Sequence, residues 1–165
     1  MKTTKVHRIA LLFNANKIFD HEVIAGIAAH FGSTRTAWDI FLEEDFRLRL
    51  SGIEHWQGDG IIANFDDPAV AAALSRCSVP VVAVGGSYAN PANYPAGVPY
   101  VATDNVKLIE LARQHLIDVG VQRFAMFSVP ATEENRWAQE REHAFRNLMQ
   151  GDLLEPVIFR GCETS

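Results

Sequence analysis

The sequence has little of what would define a secreted, metal-binding or membrane-spanning protein. Its 165 residues hold two cysteines, Cys77 and Cys162, which lie far apart and outside any CxxC or Cys/His spacing. We expect both to be free thiols, because two scattered cysteines fit a reduced cytoplasmic protein better than a disulfide framework. The apolar run at 9–13 is too short for a signal-peptide core, and no run approaches the roughly 20 residues of a membrane-spanning helix. These absences predict a cytoplasmic protein with no membrane partner.

Positive charge is also scarce. The chain has 15 lysines and arginines against 20 aspartates and glutamates, which gives a formal net charge of −5 and a pI near 5.6. Such a chain presents no net basic field to a nucleic-acid backbone, so we expect no nucleic-acid binding by this stretch itself. With 48% hydrophobic residues and a mean hydropathy near zero, its composition is that of an ordinary globular protein.

The common catalytic and nucleotide-binding motifs are missing as well. The sequence contains no GxGxxG, GxxxxGK(S/T), GxSxG or HExxH. Its six histidines are scattered singly, without the spacing of metal ligands. We therefore expect no enzyme, no cofactor and no metal.

Short apolar runs alternate with helical patterns along almost the whole chain. This alternation is typical of an α/β fold in which crossover helices join parallel strands. It predicts strands at 8–13, 37–41, 60–63, 81–84, 100–102, 124–128 and 157–160, and helices at about 21–31, 44–56, 68–75, 105–119 and 133–149. The stretch 86–99, rich in proline and glycine, is predicted to be an irregular connection. The expected architecture is a doubly wound parallel sheet with helices on both faces.

Polar residues follow the first strand, where such sheets bind their ligands. The stretch LLFNANKIFDHE, residues 11–22, places Asn14 and Asn16 after the strand and Phe19 just before the helix. An amide can both donate to and accept from ligand hydroxyls, and an aromatic ring can stack on an apolar ligand face. Shaping of the turn by the asparagines and core packing of Phe19 are the alternatives that stay open.

Further candidates follow later strands. The ends of the third, fourth and fifth strands carry Asn64 and Asp66, residues 85–87, and residues 103–105. Asp66 lies where a receiver domain keeps its phosphorylated aspartate, but the acidic pair and the lysine that such a site needs are missing. The alternative is that either Asp66 or Asp67 caps the following helix, which begins with a proline.

A second informative stretch is ENRWAQEREHAFRNLM, residues 134–149. Its residues Arg136, Trp137, Glu140 and Arg141 fall within about one and a half turns near a predicted helix start. There an aromatic plate and a guanidinium fork could be presented to a ligand. The alternative is a solvated charged face with ordinary i,i+4 contacts, such as stacking of Arg141 on Trp137.

Together these segments resemble a known family over essentially the whole chain. The resemblance is to the N-terminal, sugar-sensing part of the xylose operon regulators, and it is carried by LLFNANKIFDHEVIAGI, WDIFLEEDF, DGIIANFDD, VPVVAVGGSY, VATDN, HLIDVGVQRFAMF and RWAQEREHAFR. Asp104 and Asn105 before a helix, and the RxxxFR stretch at 141–146, are similar to the cores of lactose-repressor-type regulators and periplasmic-binding-protein-like domains of type I.

This resemblance implies a two-lobed sensor that closes on D-xylose or a related pentose. It implies a first lobe over residues 1–120 and a second lobe that starts at 121 and is truncated at 165. It also implies a homodimer, and an arabinose-activator-type helix-turn-helix domain, C-terminal and absent from this chain, through which the protein would contact DNA.

The resemblance also implies a set of sugar-binding residues. Asn14 and the turn at Phe19 and Asp20 match the place where such sensors meet the sugar, and Arg141 matches an arginine that reaches the ligand from the second lobe. The complete expected set is Asn14, Phe19, Asp20, Asn64, Asp66, Trp137 and Arg141. Which of Asn64 and Asp66 contacts the sugar stays open, and Asn16 is expected to form the turn.

Two other hypotheses compete with a sensor. A small flavodoxin-like enzyme acting on a sugar or phosphorylated metabolite would use Asp66, Glu44 and Arg141 as its acid–base set. A secreted sugar-binding protein is opposed by the missing signal sequence. A truncated second lobe would leave an apolar sheet face uncovered around 124–127 and 157–159, which predicts self-association or partial disorder beyond about residue 121.

Overall fold

The computed structural model describes residues 5–14, 17–34, 36–43, 50–130, 132, 135–150 and 156–161. The strands within these ranges are β1 Val6–Leu12, β2 Ala37–Glu43, β3 Gly60–Asn64, β4 Val81–Gly85, β5 Tyr100–Ala102, β6 Ala125–Ser128 and β7 Val157–Arg160. The α-helices are α1 Ile18–Ser33, α2 Pro68–Leu74, α3 Asn105–Asp118 and α4 Arg136–Leu148. All seven predicted strands are present, and their bounds differ from the predicted ones by two residues at most.

The chain forms two compact units, each described here by itself. The first covers residues 1–84 and 95–101, and the second covers residues 85–94 and 102–165. This grouping places α3 in the second unit. The lobe boundary predicted near residue 120 is a different division of the chain, and it stays a prediction.

A five-stranded sheet organises the first unit. Its strand order is β2-β1-β3-β4-β5, and the pairs β1/β2, β1/β3 and β3/β4 are parallel. The chain runs outward from β1 to β2 and then returns to the other side of β1 at β3, so the winding direction reverses between β1 and β3. The carboxyl ends of these two strands are therefore the switch point at which a sheet of this kind leaves room for a ligand.

Side chains of the central strands alternate between two apolar layers, as the twofold repeat of a strand requires. On one face, Leu11 and Phe13 pack with residues of α1 such as Ile24. On the other face, Leu12 and Ile61 pack with residues of α2, whose Val70 is fully buried. Because both faces are covered, the largely buried parts of β1 and β3, residues 9–12 and 60–63, are apolar runs, which is the pattern that predicted them.

One predicted helix differs in the structure. Of the helix expected at 44–56, residues 44–49 lie outside the described residues, and the remainder forms only a short 3-10 turn, Ile53–His55. The reason is Gly52, which adopts a left-handed conformation with φ of 89° that an α-helix cannot include. The predicted irregular connection at 86–99 is confirmed, with one 3-10 turn at Pro91–Asn93.

The second unit contains a two-stranded parallel sheet, β6-β7, with α4 connecting its strands. Phe127 and Phe159 are neighbours across this sheet and are 75% and 60% exposed. Val157, which lies on β7 with Phe159, is also exposed. The apolar face predicted around 124–127 and 157–159 is thus uncovered at these three side chains, whereas Phe124 is half-buried. Self-association through this face stays a prediction.

Two further expectations concern membrane-spanning helices and disulfide bonds. No helix in the described part of the chain is long and apolar enough to cross a membrane. Cys77 is a free thiol whose pKa is raised by burial, and Cys162 lies outside the described residues.

The start of α2 decides between the two aspartates before it. Asp67 is the N-cap, because its Oδ1 accepts a hydrogen bond of 2.9 Å from the backbone N–H of Ala69. Asp67→Ala should lower the free energy of unfolding by about 1 kcal/mol, since it removes this bond, whereas Asp67→Asn should be nearly neutral. Urea unfolding followed by circular dichroism measures both. Equal stability of the alanine and asparagine variants would contradict the capping role.

Candidate functional site

A buried carboxylate ties together the ends of β1 and β3. Asp20 lies in the first turn of α1 and is 0% exposed. Its Oδ2 accepts a hydrogen bond of 2.6 Å from the backbone N–H of Asn14, and its Oδ1 accepts one of 2.7 Å from Nδ2 of Asn64. Charge-assisted bonds of this kind are about twice as strong as neutral ones. Asp20 therefore fixes both strand ends at the switch point.

Asn64 continues this arrangement into the loop after β3. Its Nδ2 donates to Asp20, and its Oδ1 accepts a hydrogen bond of 2.8 Å from the backbone N–H of Asp66. Both poles of the buried amide are thus engaged within the protein. Asn64 and Asp20 hold the loops in place, and Asp66, also buried, is held at the end of this chain of bonds.

The first turn of α1 presents an aromatic ring. Phe19 is 41% exposed although it precedes the fully buried Asp20, so core packing does not account for it. The carbonyl of Asn14 accepts a hydrogen bond of 3.1 Å from the backbone N–H of Lys17, which shows that Asn14 shapes this turn. Asn16 lies outside the described residues. Phe19 thus has a partly exposed ring in the first turn of α1, and its contact with a ligand stays a prediction.

A second polar cluster lies in the second unit and centres on Asn105. This residue begins α3 and is only 2% exposed, and Asp104 before it caps the helix by accepting from the backbone N–H of Lys107. Nδ2 of Asn105 donates to Oγ of Ser87 at 2.9 Å and to Oε2 of Glu140 at 3.1 Å. Its Oδ1 accepts from Nε of Arg141 at 2.8 Å.

Arg141 is further held by an aromatic ring one turn away on α4. Its guanidinium carbon lies 4.5 Å from the ring centroid of Trp137, within the range of a cation–π contact. Partial burial lowers the pKa of the Arg141 guanidinium from its ordinary value. The i,i+4 stacking that was one alternative is present, but the arginine is bonded to Asn105 as well and so is not simply a solvated charge.

Arg136, one turn before Glu140, makes a separate contact. Its guanidinium lies 4.0 Å from the ring centroid of Tyr88, and its Nη2 donates to the carbonyl of Gly86 at 3.2 Å. Tyr88 in turn packs edge-on against Tyr94. The segment 85–94 is therefore fastened to the start of α4 by one arginine and by the Ser87–Glu140 hydrogen bond.

Glu142 anchors α4 on its opposite side. The carboxylate is buried and accepts from Nε of Arg160 at 2.8 Å and from Nη2 of the same residue, while Arg146 lies 3.4 Å away. Hydrogen bonding by Arg160 lowers the pKa of Glu142, and burial opposes this lowering. Since Arg160 belongs to β7, this bond ties the helix that carries Trp137 and Arg141 to the small sheet.

The structure thus divides the expected set into two clusters. Asn14, Phe19, Asp20, Asn64 and Asp66 come together in the first unit, and Trp137 and Arg141 come together in the second. Ser87, Asn105 and Glu140 were named from the sequence as polar candidates but were left out of the expected sugar-binding set, and the structure joins them to Arg141 in one cluster. Contact of any of these residues with a ligand stays a prediction.

The described residues bear on the metal and enzyme hypotheses only in part. Within those residues, no three His, Cys, Asp or Glu side chains are grouped so that they could hold a metal ion. Glu44, one member of the hypothetical acid–base set, lies outside the described residues.

Comparison with known proteins gives a family context for both clusters. A family model described as the XylR N-terminal domain matches residues 8–106. The xylose operon regulatory protein of Escherichia coli K12 is 48% identical over 162 residues, which make up 98% of this chain and 41% of that protein. The chain therefore spans about two fifths of the length of this curated relative.

Solved structures agree. A structure described as the xylose-binding transcription activator xylR has a TM-score of 0.83 and 45% identity, and the match covers 98% of this chain and 40% of that one. A periplasmic binding protein/LacI transcriptional regulator from Alkaliphilus metalliredigens has a TM-score of 0.63 at 16% identity, covering 94% of this chain and 56% of that one, which shows the fold alone. The resemblance seen in the sequence and the predicted periplasmic-binding-protein-like parallel α/β fold are confirmed.

The buried position of Asp20 leads to a test of its scaffold role. Asp20→Asn replaces one accepting oxygen by a donor that faces an N–H group, so the free energy of unfolding should fall by roughly 1–3 kcal/mol. Asp39→Asn, at an exposed position of β2, is the matched control and should change stability by less than about 0.5 kcal/mol. Urea denaturation provides the measurement. An Asp20→Asn variant as stable as the control would refute the scaffold role.

The Glu142 bond should make stability depend on pH. Because the folded pKa is lowered, the carboxylate contributes its full stabilisation above the unfolded value of about 4.3 and loses it as pH falls through the folded value. Glu142→Gln should therefore unfold at a lower temperature than the wild type at pH 7, with a smaller difference at pH 3.5. Glu110→Gln, whose carboxylate makes a surface pair with Lys107, is the control. Thermal unfolding provides the measurement. A difference in unfolding temperature between wild type and Glu142→Gln that is the same at pH 7 and pH 3.5 would rule out the assignment.

Proposed function

This chain belongs to the XylR N-terminal domain family, and on that premise we propose that it is the effector-sensing part of a transcription activator and that its effector is D-xylose. The observation that carries the proposal is the side-chain set around Arg141: a guanidinium held by an amide and stacked on an indole ring. Sugar sites use these groups, because amides and guanidinium ions satisfy hydroxyls and aromatic rings cover the apolar faces of the sugar. The names of the similar proteins, a xylose operon regulator and a xylose-binding activator, support the choice of sugar.

The proposed roles follow from the contacts of each residue. In the second unit, Arg141 donates hydrogen bonds to sugar hydroxyls and Trp137 supplies an apolar face. In the first unit, Phe19 supplies a second aromatic face, and Asn14 and Asp66 supply hydrogen-bonding groups. Asp20 and Asn64 act mainly by holding these loops, since their polar atoms already bond within the protein.

Signalling would require more than this chain. We propose that the full-length protein is a homodimer with a C-terminal helix-turn-helix domain and that it acts in the cytoplasm on genes of xylose use. Sugar can shift such a regulator only if it binds two conformations with different affinity. The enzyme hypothesis gains no support from the similar proteins, which are described as regulators.

Isothermal titration calorimetry of D-xylose, L-arabinose, D-ribose and D-glucose tests the proposal, both with this chain and with the full-length gene product. Full-length protein should bind D-xylose most tightly. Arg141→Ala and Trp137→Ala should each weaken binding by tenfold or more, about 1.4 kcal/mol, because each removes a charged or aromatic contact. Arg123→Ala, at an exposed loop position, is the matched control and should leave affinity unchanged.

Three outcomes would contradict the proposal in whole or in part. Absence of heat with all four sugars would overturn the sensing function. Selective binding of D-xylose that survives both substitutions would retain the function and reject the site. Conversion of any sugar during the titration, detected by chromatography of the recovered ligand, would favour an enzyme.

A further inference from the structure

The polar cluster around Asn105 contains two opposite charges that do not pair with each other. Glu140 and Arg141 are consecutive on α4, and consecutive helical side chains point about 100° apart. The structure shows no hydrogen bond or ion pair between these two residues. Each bonds to Asn105 instead, so a residue from α3 links the two charges of α4.

An asparagine suits this place because its amide has two poles. The carboxylate of Glu140 needs a donor, which Nδ2 provides, and the Nε–H of Arg141 needs an acceptor, which Oδ1 provides. An aspartate at this position would still accept from Arg141 but would set a second carboxylate against Glu140. A leucine of similar size would serve neither, and the buried polar groups left without partners would be costly.

The bonds also determine which part of Arg141 stays available. Its Nε is bonded to Asn105, and its guanidinium lies over the Trp137 ring. No residue in the described part of the chain accepts a hydrogen bond from its two Nη groups. A guanidinium fixed at Nε and stacked on one face has lost most of its freedom, and its Nη fork is therefore preorganised for an incoming hydroxyl pair.

Glu140 is held just as firmly from the other side. Its Oε2 accepts from Oγ of Ser87 and from Nδ2 of Asn105, and Ser87 also accepts from that same Nδ2. Charged residues close in sequence to Glu140 and its partner Asn105 include Arg136 and Arg141 of α4, and Asp104 and Lys107 at the start of α3. Asp104 is engaged as a helix cap, and Lys107 pairs with Glu110.

We propose that Asn105 is a positioning residue of the sugar site: without touching the sugar, its amide holds the Arg141 guanidinium in its binding orientation and keeps the Glu140 carboxylate beside it. This inference rests on the proposed function, because it assigns a role toward the sugar that Arg141 binds. It goes beyond that function in naming a residue whose effect on affinity is indirect and depends on its amide.

The experiment compares Asn105→Asp and Asn105→Leu in the full-length gene product, with D-xylose as the probe at pH 8 and pH 5.5. Asn105→Leu should lower affinity about tenfold or more at both pH values. Asn105→Asp should lower it similarly at pH 8 and recover most of it at pH 5.5, because two neighbouring carboxylates share a proton as pH falls. Asn93→Asp adds the same charge at an exposed position of the same unit and should behave as wild type at both pH values.

A readout without ligand separates this inference from the proposed function. In protein labelled with 15N at arginine Nε, the Arg141 Nε–H should exchange slowly with solvent in the wild type and in Asn105→Asp, and rapidly in Asn105→Leu. Arg141→Lys identifies the resonance.

Affinity and exchange together decide whether the inference holds. Recovery at low pH with a protected Nε–H in the aspartate variant supports the inference. Wild-type affinity of Asn105→Asp at both pH values, or an equal loss at both, overturns it. A further outcome is that the wild type binds no sugar although its Arg141 Nε–H exchanges slowly and that of Asn105→Leu exchanges rapidly. In that case the proposed function fails, and the link between Asn105 and Arg141 stands.

Discussion

Burial of the Asp20 carboxylate is the constraint on which the ligand end of the sheet depends. A charge taken out of water is very costly unless hydrogen bonds replace the lost hydration. Asp20 receives these bonds from the turn after β1 and from the side chain at the end of β3. The carboxylate therefore links the two strands on either side of the switch point. The turn after β1 and the end of β3 cannot move apart without exposing this carboxylate or breaking its hydrogen bonds.

In the second unit, the buried amide of Asn105 joins neighbouring elements. Asn105 is neutral, so its burial costs less than that of a carboxylate, and it can satisfy one anion and one cation at once. Glu142, two residues beyond Glu140, fastens the other side of α4 to β7 through Arg160. The helix that bears Trp137 and Arg141 is thus fixed on both sides, which is what a binding site needs if its arginine is to meet a small ligand in one orientation.

The fold was predictable from the sequence because its signals are local. Uninterrupted apolar runs and the Asp–Pro start of α2 depend only on neighbouring residues, and these elements were found nearly where they were predicted. The helix expected at 44–56 was wrong in its described part because Gly52 adopts a left-handed backbone, which a hydrophobic pattern does not reveal. The members of the Asn105 cluster were named from the sequence, but the contacts that join them were not predicted, because they link residues 18 to 36 positions apart, which no local pattern encodes.

The same sequence separations have a kinetic consequence. The bond between Glu142 and Arg160 spans 18 positions, whereas the bonds that join Asn105 to Glu140 and Arg141 on α4 span 35 and 36. The entropy lost in closing a chain rises with its length, so the shorter link forms at the lower cost. During folding α4 would then dock on its own sheet first, and the polar cluster that holds Arg141 would close late, against a helix already in place. Interactions that form late contribute little to the rate of folding and mainly slow unfolding. The persistence of the assembled site, rather than the speed of its assembly, is therefore what the Asn105 cluster governs.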